Sequence, residues 1–98
     1  MIVHVCSASA WDEARTSGTY RAESLASEGF IHFSGWDQLA ETAARYYAGV
    51  DGLLVLVVDQ AGLDVRVENG FPHLYEPLPV SAVTDVLPLE QAFARAAG

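Results

Sequence analysis

Apolar and polar positions divide the chain into strands and helices, with no linker, repeat or low-complexity block between them. The β-branched run at residues 2–6 predicts a first strand, and residues 29–34 predict a short second one. Residues 53–58 are apolar throughout, which indicates a central strand buried on both faces. Residues 63–68 alternate strictly, as expected of a strand with one solvent-facing side, and residues 80–87 predict the last strand.

Three segments predict helices. Ser9, with an acidic residue three positions on, predicts the start of a short helix that runs to Arg15 and ends at Gly18. Ser34 stands in the same relation to an acidic residue and predicts the cap of a longer helix. Residues 89–97 predict a terminal helix. The apolar face of the longer helix comprises Trp36, Leu39, Ala40, Ala43, Tyr46 and Tyr47.

The remaining segments predict irregular structure. Residues 19–28 are polar and predict a loop or a single turn, and residues 71–79 contain three prolines, which favour an ordered loop or an edge strand. The element order is therefore β-α-β-α-β-β-β-α, with strands concentrated late in the chain. This order predicts a compact α+β single domain over residues 1–98, in which a mostly antiparallel, split sheet is flanked by two to three helices.

Charge and composition narrow the function classes. The 98 residues carry 13 acidic and 5 basic side chains, for a formal net charge of −8, and all the basic residues are arginines. Without lysine, the chain has no Schiff-base or P-loop lysine chemistry, and the acidic balance argues against nucleic-acid binding. A hydrophobic content of 51% excludes intrinsic disorder.

The sequence also predicts a cytoplasmic location. Its N-terminus lacks the basic region and long apolar stretch of a signal peptide, and the longest apolar run falls far short of the ~20 residues that span a bilayer. The single cysteine, Cys6, excludes an intramolecular disulfide and predicts a small buried side chain in the first strand.

The three histidines are the first candidates for chemistry. His4 and His32 lie in predicted strands, and His73 lies in a proline-fixed segment. Each of them can be a core histidine whose ring is bonded to a backbone carbonyl. A zinc site of three histidines is an alternative, but no pair has the close spacing common in such sites, so no metal is expected. No serine lies in the elbow motif of a hydrolase.

Loop tyrosines and one carboxylate extend the candidate set. Tyr20 lies beside Arg21, and Tyr75 lies two residues after His73. A tyrosine face stacks on a flat ring and its hydroxyl can take part in proton transfer, although a buried anchor explains the same positions. Glu68 ends the alternating strand on its polar face, where a solvated carboxylate is the alternative interpretation.

Several strings together resemble a known family. In one order the chain contains GTY at residues 18–20, EGFIHFS at residues 28–34 and FPHLY at residues 71–75. Together with the strand around His4, they resemble the small bacterial domain of unknown function 952, over nearly the whole chain. One departure is Glu76, where the family pattern has glycine after the last tyrosine.

The resemblance implies an ADP-ribosyltransferase-like fold with a cleft for NAD or a related nucleotide. It places His4 on a ribose hydroxyl and His32 at the second catalytic position. Glu68, His73 and Tyr75 compete for the third position.

The resemblance therefore predicts a transferase or NAD glycohydrolase, or a protein that binds NAD or a related nucleotide, with NAD as the cofactor and a small nucleotide-like ligand as the partner. The composition predicts no membrane or nucleic-acid partner. Tyr20, Arg21 and Ser34 are the predicted ligand-binding residues, since a pyrophosphate needs an arginine or the backbone amides at a capped helix. The alternative is a non-catalytic interaction module, in which the histidines are structural and the acidic surface meets a protein partner. A metal hydrolase is the third possibility.

Overall fold

The computed structural model describes residues 1–98 as an α+β arrangement of antiparallel strands and four α-helices. The strands are β1 (Ile2–Ser7), β2 (Thr19–Tyr20), β3 (Ile31–His32), β4 (Leu53–Val58), β5 (Val65–Glu68), β6 (Phe71–Leu74), β7 (Leu78–Pro79) and β8 (Val83–Pro88). The helices are α1 (Ala8–Ser17), α2 (Glu23–Glu28), α3 (Leu39–Tyr46) and α4 (Leu89–Ala97), with 3₁₀ turns at Trp36–Gln38 and Val80–Ala82. None of the helices has the length and apolar character needed to cross a bilayer.

The first sheet has the order β1-β4-β8 and is antiparallel throughout. Strand β4 lies in its centre, with Val55 opposite Val5 on one side and Leu87 on the other. Five of its six residues are buried, which confirms the prediction of a central strand covered on both faces. All six side chains of β4 are apolar, so both faces of the sheet carry apolar residues and each face packs against a hydrophobic cluster.

Strands β3, β6 and β5 form a second antiparallel sheet, and β2 pairs with β7. A single bridge joins the first two sheets: the Val3 and Ser34 backbones exchange two N–H···O hydrogen bonds of 2.8 Å. The predicted second strand therefore divides, since its first half pairs with β6 and its last residue pairs with β1. The result is a split sheet, as predicted.

Two apolar clusters lie on opposite faces of the first sheet. One includes Ile31, Leu74 and Leu78 and fills the space between the first sheet, the second sheet and α1. The other places Leu39 of α3 and Ala92 of α4 against the odd-numbered residues of β1. Burying these side chains removes apolar area from water on both faces, at about 25 cal/mol per Å².

The α1 helix begins two residues earlier than the sequence predicted. Ser7 is the N-cap, and its hydroxyl accepts the Ala10 N–H at 3.1 Å, whereas the predicted cap, Ser9, bonds only the Ser7 hydroxyl. The helix continues to Ser17 and ends at Gly18, whose φ of 88° is left-handed and favours glycine.

Two segments predicted as irregular are regular. Residues 19–28 hold β2 and α2, because Tyr20 pairs with Leu78 across the chain and Gly29 closes the six-residue helix with a left-handed C-cap. Residues 71–74 form the central strand of the second sheet rather than an edge. Pro72 is tolerated there because it lies at the end of the β3 ladder, where its carbonyl accepts the Phe33 N–H at 3.0 Å.

The predicted apolar face of α3 is partly wrong. Leu39 and Ala43 are buried, but Ala40 is exposed and Tyr46 is 69% exposed, with its ring beneath the Arg45 guanidinium at 5.9 Å. Residues 36–38 form a 3₁₀ turn and the α-helix spans only Leu39–Tyr46, so Tyr46 is its last residue and the buried part of α3 is limited to Leu39 and Ala43.

Candidate functional site

The second sheet lines up three of its polar side chains. His73 of β6 lies directly opposite His32 of β3 on one side and Arg66 of β5 on the other. Residues paired in this way project from the same face of a sheet. Their sequence neighbours Ile31 and Leu74 point the other way and are completely buried in the core. The face that carries His32, His73 and Arg66 therefore looks outward.

Phe30 brings the aromatic side chains of this face together. Its ring centroid lies 4.9 Å from that of His32, 4.6 Å from that of His73 and 5.4 Å from that of Tyr75. The two imidazole centroids are 5.6 Å apart. The Phe30 ring meets both imidazoles edge to face, a favourable arrangement for aromatic pairs. We call Phe30, His32, Arg66, Glu68, His73 and Tyr75 the outer-face cluster.

His73 has one ring nitrogen in use. Its Nδ1 lies 2.8 Å from the carbonyl oxygen of Phe71, and a carbonyl only accepts, so Nδ1 carries the proton. In the neutral ring Nε2 then holds a lone pair, and it has no hydrogen-bond partner within the protein. The residue is 9% exposed, so His73 presents this lone pair from an otherwise packed ring. Such a nitrogen can accept a proton or a hydrogen bond from a ligand.

Tyr75 and Arg66 organise the carboxylates beside His73. The Tyr75 hydroxyl donates to Glu68 Oε1, and this hydrogen bond is the main reason that the pKa of Tyr75 is raised. The Arg66 guanidinium lies 4.3 Å from the centre of the Tyr75 ring and donates two hydrogen bonds of 3.2 Å to Asp64. The bonds to Asp64 raise the pKa of Arg66 above its ordinary value.

The side chain of His32 is exposed to solvent. Its side chain is 55% exposed and its Nε2 lies 3.1 Å from the Glu28 carboxylate of α2. The two residues are four positions apart, so the end of α2 holds the carboxylate beside the imidazole.

His4 lies apart from the cluster and has no free nitrogen. Nδ1 donates to the His32 carbonyl oxygen at 2.6 Å, which requires Nε2 to be the acceptor of the Tyr20 hydroxyl at 2.7 Å. Burial lowers the pKa of His4 to about 4, and the bond to the His32 carbonyl only partly opposes this shift. His4 is therefore a neutral core histidine that ties Tyr20 to β3, and its predicted contact with a ribose hydroxyl would require one of these bonds to break.

The lowered pKa of His4 predicts acid-sensitive stability. Its pKa in the fold is about 4, below the ordinary 6.5, so the unfolded chain binds the proton more readily. The contribution to stability is complete above the unfolded value and is lost as the pH falls toward 4; between about pH 7 and about pH 5 the loss is about 2 kcal/mol. Urea unfolding at both pH values measures it.

The matched control is His4→Gln, which has no titrating ring but shares every carboxylate with the parent. The parent is expected to lose about 2 kcal/mol more than the variant over this pH interval. Equal losses in the two proteins would contradict a buried neutral His4.

The three predicted ligand-binding residues lie outside the cluster. Tyr20 is 5% exposed, and its hydroxyl, bonded to His4, has a raised pKa because of burial. Ser34 is buried, and its hydroxyl bonds Thr42 at 3.0 Å. The predicted capping role of Ser34 is wrong: Gly35 is the N-cap, and the Gln38 side chain accepts the Gly35 N–H at 2.8 Å.

Arg21 has a different environment. It is exposed on the rim of a groove of about 490 Å³ beside α1, together with Glu13, Ser17 and Tyr20. It makes no ion pair, whereas Arg15, Arg66 and Arg95 each pair with an aspartate. Its charge is therefore available to a ligand or to solvent.

Comparison with known protein families assigns the chain. The family model described as "Protein of unknown function (DUF952)" matches residues 5–86. The chain belongs to this family. A comparison with curated proteins gave no match.

Solved structures of one relative share the fold of this DUF952 protein. The crystal structure of protein CC0527 from Caulobacter crescentus is 33% identical, with a TM-score of 0.82 over 95% of this chain and 97% of that chain. The solution NMR structure of CC0527 is 35% identical, with a TM-score of 0.74 over 89% of this chain and 82% of that chain.

The outer-face cluster thus unites four of the five predicted catalytic residues of the DUF952 chain and leaves out His4. The sequence strings at residues 28–34 and 71–75 contain its strands β3 and β6. Sequence reasoning missed Phe30, which stands inside the first string, and Arg66, which lies on the polar side of the alternating strand. A local signal was available for Arg66: the two-residue turn at Asn69-Gly70 pairs Glu68 with Phe71 and therefore Arg66 with His73.

Proposed function

We propose that this DUF952 protein is an ADP-ribosyltransferase-like enzyme that binds NAD, or a nucleotide of the same class, on the outer-face cluster. The observation that carries the proposal is the free Nε2 of His73, whose ring packs against Phe30, the residue that also contacts the Tyr75 ring. Glu68 adds a carboxylate to the same face through its hydrogen bond from Tyr75. A flat ring, a proton acceptor and a carboxylate together suit the cleavage of an N-glycosidic bond.

Aromatic side chains supply the binding surface for a base. Phe30 and Tyr75 are both partly exposed, with centroids 5.4 Å apart and an interplanar angle of 53°. A nicotinamide or adenine ring would stack on the exposed part of Phe30 or on the face of Tyr75 that Arg66 does not cover, and stacking of this kind contributes about 1–3 kcal/mol per base. The 55% exposed ring of His32 extends the surface.

Glu68 and His73 divide the chemical work. As the bond from C1′ of the ribose to the nicotinamide nitrogen breaks, its electron pair leaves with neutral nicotinamide, and positive charge develops on the ribose. The negative charge of the Glu68 carboxylate stabilises this positive charge. His73 Nε2 accepts the proton of the attacking hydroxyl as the new C1′–O bond forms. With water as acceptor, the products are nicotinamide, ADP-ribose and a proton.

The phosphates require a cation outside the cluster. The charge of Arg66 is already balanced by Asp64, to which it donates through Nε and Nη2. Arg21 has no ion pair and is the arginine that we assign to the phosphates. The amides near Ser34 do not serve, because the Ser34 N–H donates to Val3 and the Gly35 N–H to Gln38.

Titration with ADP-ribose tests the binding surface. We expect the parent protein to bind and Phe30→Ala to bind about tenfold more weakly, because one stacking partner is lost. Isothermal titration calorimetry gives both affinities. Tyr46→Ala is the matched control, since Tyr46 is an exposed aromatic on α3 outside the cluster, and it is expected to retain the parent affinity.

The same titrations with NAD, nucleoside monophosphates and inorganic phosphate identify which part of the ligand is recognised. Binding of phosphate alone, unaffected by Phe30→Ala, would contradict the stacking surface. The absence of binding for every compound would favour the non-catalytic interaction module.

A further inference from the structure

Strand β5 has a free backbone edge. It is the outermost strand of the order β3-β6-β5, and Arg66, Val67 and Glu68 are all exposed. The Pro72 carbonyl, opposite Val67, accepts the Phe33 N–H and therefore points toward β3. Hydrogen-bonding directions alternate along an antiparallel strand, so the Val67 N–H and C=O point away from β6, toward the open edge.

A backbone hydrogen bond between Asp64, just before β5, and Tyr75, just after β6, agrees with this alternation. The Tyr75 N–H donates to the Asp64 carbonyl at 3.0 Å, which makes Asp64 a residue whose backbone faces β6. Arg66 and Glu68 follow at two-residue steps and face β6 as well. Val67 is thus left with an unpaired donor and acceptor, and its side chain is 71% exposed. An edge of this kind is a template for another strand.

We propose that two copies of the chain pair antiparallel through β5, with Val67 opposite the partner's Val67. In this register the two Val67 residues exchange N–H···O hydrogen bonds, and their exposed side chains cover each other. Arg66 of each copy then lies opposite the partner's Glu68, at a non-hydrogen-bonded position where side chains approach most closely. The inference stands independently of the proposed enzymatic activity.

Charge selects this register over its neighbour. Moving the two-fold axis to Arg66 would set Arg66 against the partner's Arg66 and Asp64 against the partner's Glu68, which are like-charge contacts throughout. Like charges directly opposite each other destabilise a strand pair, and opposite charges stabilise it. The chain with a net charge of −8 therefore offers one edge on which a second copy meets complementary rather than repelling side chains.

The paired sheets would also bring the two sites together. Six strands form one continuous sheet, and both outer-face clusters lie on the same side of it, because a two-fold axis perpendicular to a sheet preserves its faces. The partner's Arg66 then approaches the Glu68 carboxylate to which Tyr75 donates. The second copy thereby adds a cation at the carboxylate end of the cluster.

Charge reversal tests the pairing through the oligomeric state. We expect the parent chain to sediment at twice its monomer mass of 10.5 kDa at millimolar concentration. In an Arg66→Glu dimer, a glutamate at position 66 of each copy would face Glu68 of the other copy. In a Glu68→Arg dimer, Arg66 of each copy would face an arginine at position 68 of the other. Like charges would meet in both cases, so each variant alone is expected to be a monomer. A mixture of the two variants restores both opposite-charge pairs and is expected to form the heterodimer.

The mixture also shows that the single variants are folded, because an unfolded chain would not pair. The double variant Arg66→Glu, Glu68→Arg restores complementarity within one chain and is expected to dimerise again. A parent chain that stays monomeric at millimolar concentration, or single variants that dimerise as well as the parent, would overturn the proposal.

Discussion

Replacing His4 by alanine is expected to lower the free energy of unfolding by about 3 kcal/mol or more. The substitution leaves a cavity where the buried ring was and removes both of its hydrogen bonds. The Tyr20 hydroxyl and the His32 carbonyl would each lose the hydrogen bond, of 2.7 Å and 2.6 Å respectively, that they make with the His4 ring. Urea unfolding at neutral pH, followed by circular dichroism, measures the loss.

Tyr20→Phe is the control for this result. It removes the bond to His4 Nε2 but keeps the buried ring, so we expect it to cost about 1 kcal/mol. A His4→Ala variant with the parent's stability and no ADP-ribose binding would contradict the structural role. That result would instead support the contact between His4 and a ribose hydroxyl that the family resemblance implies.

The second expected result concerns turnover. If the proposed function is correct, His73→Ala reduces nicotinamide release from NAD by a hundredfold or more, since a positioned base contributes about 10²–10⁴ to rate. The ring is packed against Phe30, so the free energy of unfolding has to be measured beside the activity. Release is followed by chromatography of nicotinamide under single-turnover conditions.

Arg15→Ala is the matched control for activity. Arg15 is exposed on α1 and pairs only with Asp12, so its loss is expected to leave nicotinamide release unchanged. A folded His73→Ala variant as active as the parent would remove His73 from the chemistry. The free Nε2 would then be a feature of packing alone.

Local patterns were sufficient for much of the fold. Residues 53–58 form a continuous apolar run that predicted a buried strand and residues 89–97 predicted a terminal helix, and both elements lie where the sequence placed them. The pairing of Tyr20 with Leu78 left no such trace, because two-residue strands are stabilised by contacts between distant segments. The apolar pattern of α3 failed at Tyr46 because helical spacing alone does not show where the packed part of a helix stops, and Tyr46 is the exposed last residue of α3.

The candidate site divides along the same line. The sequence identified the histidines by their rarity, but it could not separate His4, which lies in the core, from His73, which presents a free nitrogen. That difference depends on the Tyr20 hydroxyl and on the carbonyls of His32 and Phe71, which are set by tertiary packing. Phe30 was missed because an aromatic beside a strand has no signature apart from its neighbours in space.

The single bridge between Val3 and Ser34 has a dynamic consequence. The backbones of the two sheets exchange only two hydrogen bonds, and the His4 side chain adds one to the His32 carbonyl, whereas β1 and β4 pair over six residues. Local opening follows the weakest connections of a structure. We therefore expect local opening to begin at this seam, where it would separate the histidine-bearing sheet from the β1-β4-β8 sheet before the β1-β4 pairing is lost.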